Sequence, residues 1–146
     1  MSLKETQEQL VENMRRWQKM ENAGIASTGK IIEKTGNPIV RLIMEIIQRD
    51  SAMHYRVQEM IADSLTTKVV TLTPEELGAV WDMVEEHIEL ERSTIDLAKT
   101  ALDATAKSKA MMVQNYLLKY VLKDEEKHEA LLADLEQIKK GMYPYG

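Results

Sequence analysis

The chain contains no cysteine and no phenylalanine. Without thiols it can form no disulfide, iron–sulfur cluster or thiolate zinc site, so histidine and carboxylate remain as its strong side-chain metal ligands. That donor set suits iron, manganese or zinc. No apolar run approaches the roughly 20 residues needed to span a bilayer. The N-terminus also lacks the charged-then-apolar layout of a signal peptide, and a cytoplasmic location is expected. There is no Gly-rich phosphate loop, no Ser/His/Asp arrangement placed by motif, and no basic–aromatic face. A formal charge of −5 argues against nucleic acid or an anionic membrane as partner.

What the chain does have is methionine, ten in all, which suits a flexible, gap-filling core. Its 146 residues are one domain's worth, residues 1–146, long enough to close a hydrophobic core without staples. The helical period runs through Leu10, Met14, Trp17, Gly24/Ile25, Thr28 and Ile31/Ile32, predicting a first helix over residues 4–34. Gly36 ends it. Asn37-Pro38 then reads as a cap and first residue of a second helix, over residues 38–64, with Ile43, Ile46, Ile47, Val57 and Ile61 inward. Residues 65–73 are β-branched and poor in helix formers, which fits an extended crossover; a short strand is the competing reading. Thr73-Pro74-Glu75-Glu76 is a helix start with a capping box, opening a third helix over residues 74–105. A fourth follows over residues 109–140, and the last residues, from Gly141, are expected to be a frayed or docking tail.

The polar interruptions of these stripes carry the chemistry. Glu125 and His128 lie three residues apart in line with Val113, Leu117, Val121, Leu132 and Leu135, so both face what the helix packs on. A buried ionised carboxylate must be neutralised, paired or bound to a cation, and either a metal site or a buried Glu–His ion pair satisfies this. Glu21 interrupts the first stripe, Asp50, Ser51 and His54 the second, and Glu91 the third. Laying the first helix pair on the second sets Glu21 against Glu91, Asp50 against Asp124, Ser51 against Glu125 and His54 against His128. The Glu-to-His offset is 33 residues in one half and 37 in the other. Such a repeat would bring carboxylates and imidazoles to one level of a bundle. His87, one turn before Glu91, is a candidate further ligand or donor, with an exposed structural role as the alternative. For Tyr120, a hydrogen bond to a ligand competes with core packing, which is the expected role of Tyr116.

In these residues the chain resembles the ferritin-like superfamily of di-iron or di-manganese carboxylate proteins, and within it the small rubrerythrin-like members. A lone Glu on the first and third helices (Glu21, Glu91) and a Glu-x-x-His on the fourth (Glu125, His128) match the family's scheme, as does His54 on the second. The resemblance implies an all-α, antiparallel four-helix bundle with a long crossover between its second and third helices. It also implies a metal site of Glu21, His54, Glu91, Glu125 and His128, and an oxidoreductase acting on dioxygen or peroxide as a rubrerythrin-like peroxidase or ferroxidase. The expected cofactor is iron, with manganese or zinc as alternatives, and the expected assembly a homodimer. The rubredoxin-type centre of classical rubrerythrins needs four cysteines, so electrons would come from an external donor. Ser51 departs from the scheme where a bridging Glu is expected. Asp50, one turn before His54, could substitute with a shorter arm, and a salt bridge to an arginine is its other reading. The site is then asymmetric, mononuclear or vestigial, and the alternative function is a non-enzymatic bundle serving as a metal-storage or interaction module.

Overall fold

The computed structural model describes residues 1–141, so the expected tail at residues 142–146 lies outside the described residues. The described residues form α-helices and one short 3-10 turn, with no strand among them. The chain divides into two compact units, residues 1–70 and residue 71 onward. The first unit is a helical hairpin of α1 (Leu3–Lys34) and α2 (Pro38–Thr66). The second holds α3 (Pro74–Gly78), α4 (Trp81–Thr105), a 3-10 turn (Lys109–Met111) and α5 (Met112–Lys139), with α4 and α5 as its long pair.

The helix starts follow from local chemistry. Ser2 caps α1 in a reciprocal capping box with Glu5. The Asn37 Oδ1 atom accepts from the backbone N–H groups of Ile39 and Val40, satisfying two donors that the first turn of α2 would otherwise leave free. Thr73 caps α3 through the Glu76 N–H, with Pro74 at the first helical position. At the other end Gly141 takes a φ of 77°, in the left-handed region that glycine enters without steric cost, and its N–H reaches the Ile138 carbonyl at 2.9 Å.

The third helix, expected as one rod over residues 74–105, is two. Gly78 and β-branched Val80 are weak helix formers, and the backbone leaves helical geometry at Val80. The break still buries both Leu77 and Trp81. Lys139 lies over the Trp81 ring at 5.3 Å, adding a cation–π contact. Residues 67–73 are neither helix nor strand, so the strand reading of that stretch is not realised.

Hairpin one buries part of the stripe its periodicity suggests and leaves the rest on the surface. The buried positions are Met14, Gln18, Glu21 and Thr28 on α1 and Gln58 and Ala62 on α2, whereas Trp17 and Val57 remain about half exposed (50% and 52%). Small and polar groups set this seam. A Cβ at Gly24 would stand 3.4 Å from Ser51 Oγ, in ordinary van der Waals contact, so small groups face each other there. Gln18 Nε2 donates to Glu59 at 2.7 Å, and Gln48 Nε2 donates to the Ile25 carbonyl. Arg15 pairs with Glu59 at 2.7 Å. The helices meet along a flank of their apolar stripes, and Leu10, Trp17, Met53, Val57 and Met60 stay exposed.

Asn37→Ala should destabilise the first hairpin by about 1 kcal/mol, since two N–H groups lose their acceptor. Chemical denaturation followed by circular dichroism checks this; an unchanged midpoint would mean that the cap contributes nothing.

Candidate metal centre

In the second unit, α4 supplies Glu91 and α5 supplies Glu125 and His128. The three offer one ligand atom each, all within 4.8 Å of one another. Glu91 is buried at 7% exposure. Its Oε1 atom is 2.8 Å from His87 Nε2 and 3.4 Å from His128 Nδ1. Its Oε2 atom is shielded from solvent and has no hydrogen-bond partner among the described residues. A buried acceptor left unmatched costs about 1–3 kcal/mol, and a charged one more.

Glu125 stands beside it, half-buried. Thr94, one turn beyond Glu91, places its hydroxyl 3.1 Å from Glu125 Oε2 and 2.8 Å from the Glu91 carbonyl, and its single proton serves one at a time. Asp124 is 3.4 Å from His128 Nε2 and 2.8 Å from Lys127 Nζ. One ring nitrogen of His128 thus faces a carboxylate on its own helix while the other faces Glu91 and Glu125. An acid behind a histidine in this way favours the tautomer whose inward nitrogen carries a lone pair.

Two carboxylates this close cannot both ionise freely. Hydrogen bonding from Glu125 holds Glu91 below the ordinary carboxylate range; burial opposes this, and contacts from His87 and His128 reinforce it. Glu125 is pushed up, first by its hydrogen bond with Glu91 and then by burial, against the Thr94 hydroxyl. The pair therefore keeps a shared proton, carried by Glu125, to higher pH than an isolated carboxylate would. A divalent cation could take that proton's place.

The other sequence candidates fall in the first unit. Glu21 is buried, and its Oε2 atom is 3.5 Å from His54 Nδ1, beyond a good hydrogen bond and without another partner among the described residues. The His54 ring is 60% exposed, unlike the inward imidazole its stripe suggests. Asp50 is half-buried and forms neither a hydrogen bond nor an ion pair with any described residue. Ser51 faces Gly24 across the α1–α2 seam. His87 reaches Glu91 within one turn of α4, whereas the contact of Thr94 to Glu125 comes from tertiary geometry. Their spacing four before and three after Glu91 was the available signal, and for Thr94 it went unread.

The chain matches no family model, no curated protein and no solved structure.

Because Glu125 binds its proton more tightly in the fold, its stabilising contribution is present at acid pH and lost as pH rises through its raised value. Glu91 works in the opposite sense, contributing above the ordinary range and losing that contribution as pH falls through its lowered value. In metal-free protein Glu125→Gln, which keeps a donor toward Glu91 at every pH, should raise the melting temperature at neutral pH. The advantage should shrink toward about pH 4. Thermal melts across that range check it, and a pH-independent difference would contradict the shared proton.

Proposed function

We propose that the chain is a carboxylate–histidine metal protein whose cation is held by Glu91, Glu125 and His128. The observation that carries this reading is the buried, unpartnered Oε2 atom of Glu91 beside a second acid and an imidazole. Two carboxylates and one imidazole fit iron, manganese or zinc, and the absence of cysteine removes the softer alternatives. In the finer form of the proposal the protein is a ferritin-like four-helix bundle. Glu21 and His54 then join the ligand set, and the protein is an oxidoreductase acting on dioxygen or peroxide with electrons from an external donor.

Bound there, iron or manganese would supply the redox step. The side chains account for the rest. Glu125 gives up the proton it shares with Glu91, so both acids become acceptors toward the cation. His128 presents its inner nitrogen while Asp124 holds the ring from behind. Thr94 steadies Glu125, and His87 ties up the Oε1 atom of Glu91, leaving Oε2 for a ligand bond. A second reading, a non-enzymatic bundle for metal storage or interaction, is favoured by Ser51. That residue stands where a bridging carboxylate would be needed and packs against Gly24 instead.

Anaerobic titration with Fe²⁺ or Mn²⁺ should show saturable binding that weakens as pH falls, because protons compete with the cation for the same acids. Glu91→Ala should weaken it by about 100-fold or more, while Asp124→Asn should cost about 10–100-fold. One ion per chain fits the three-residue set, and two fit the ferritin-like form. Absence of uptake, or uptake indifferent to Glu91→Ala, overturns the metal reading. Metal bound without turnover of peroxide or dioxygen in the presence of a reductant favours the non-enzymatic one.

A further inference from the structure

The corner between α4 and α5 carries an open concavity of about 610 Å³. That is within the roughly 300–1,000 Å³ range of small-molecule sites. Lys107, Lys109 and Lys119 line it, together with Ser108, Met112 and Tyr116. None of the three lysines pairs with a carboxylate among the described residues, although other lysines of the same unit do, Lys127 with Asp124 and Lys140 with Glu136. The local sequence explains why. Residues 104–123 contain four lysines and no acid, in a chain with 24 acidic residues and a net charge of −5.

Three lysines border one concavity with no acid nearby in sequence, so their charge favours a bound polyanion. Lysine binds phosphate as a point charge, without needing a Gly-rich loop. The remaining lining is of a different kind: Met112 and Tyr116 are exposed at 68% and 53%, offering an apolar and aromatic surface beside the charges. An aromatic ring of this sort stacks on a flat heterocycle. The walls are held in place locally. Asn115 Nδ2 donates to Thr105 Oγ1 at 3.0 Å, and the buried Thr105 hydroxyl points back to the Ala101 and Leu102 carbonyls.

We propose that this cavity binds a nucleoside phosphate, its phosphates against Lys107, Lys109 and Lys119 and its base against Tyr116. Glu91 lies 14 residues before Thr105 on the same helix, roughly 20 Å along its axis, so this site is separate from the metal centre and stands without it.

The test is isothermal titration of the full chain with ADP, with inorganic phosphate and with adenosine, in EDTA so that the acidic cluster takes no part. ADP should bind saturably at one per chain, and phosphate and adenosine each at least about tenfold more weakly, with ADP affinity falling as salt rises. Lys107→Glu with Lys119→Glu should weaken ADP by about tenfold or more at unchanged helicity. Tyr116→Ala should weaken ADP while leaving inorganic phosphate binding as it was. No saturable ADP binding, equal binding by the charge-reversed variant, or inorganic phosphate binding as tightly as ADP would each overturn the assignment.

Discussion

The second helical unit is built around a carboxylate that cannot be left alone. Glu91 is buried on α4, and the groups around it each answer part of the cost of its charge. His87 and His128 reach one of its oxygens, Glu125 beside it keeps its proton to higher pH than an ordinary carboxylate, and the Thr94 hydroxyl reaches Glu125 in turn. The other oxygen has no such answer among the described residues. A site that neutralises most of a buried charge and leaves one acceptor open is short of a proton or a cation. The same acids can take either, which makes proton release the natural counterpart of metal uptake.

The two helical hairpins manage polarity differently. In the first, the seam between α1 and α2 is itself polar, with glutamines bonded across it and glycine facing serine. Small and polar side chains stand there in place of bulky apolar ones, and part of each apolar stripe is left on the surface. In the second, Leu77, Trp81, Ile95 and Ala98 are buried, and polarity is concentrated at the level of Glu91 and at the α4–α5 corner. Acids gather at one of these levels and lysines at the other. The same pair of helices thus offers one place for a cation and another for an anion.

Much of the local structure was legible in the residues. Asn37-Pro38 and Thr73-Pro74 mark helix starts because their side chains and fixed φ act within one turn. Glu125 and His128 share a face because three residues make nearly one helical turn. Glu91 was identifiable as an acid inside an apolar stripe, and it is buried. Glu21 was likewise identifiable as an acid inside a stripe and is buried, although the His54 ring is more exposed than its own stripe suggested. The helix break at Gly78–Val80 was missed, because Leu77 and Trp81 keep the same periodicity across it.

By itself the sequence determined that the chain is helical, where its helices begin, and that only oxygen and nitrogen side chains are its strong candidates for holding a metal. These follow from composition and from forces acting over three or four residues. Tertiary structure decided which flank of each stripe is buried, since a stripe wide enough for two neighbours does not name the one it meets. It also decided that Asp124 backs an imidazole while Asp50, its counterpart in the repeat, has no partner among the described residues. Finally, it brought Glu91 and Glu125, 34 residues apart in sequence, close enough to share a proton. That proximity belongs to the packing of two helices, and no spacing along either one contains it.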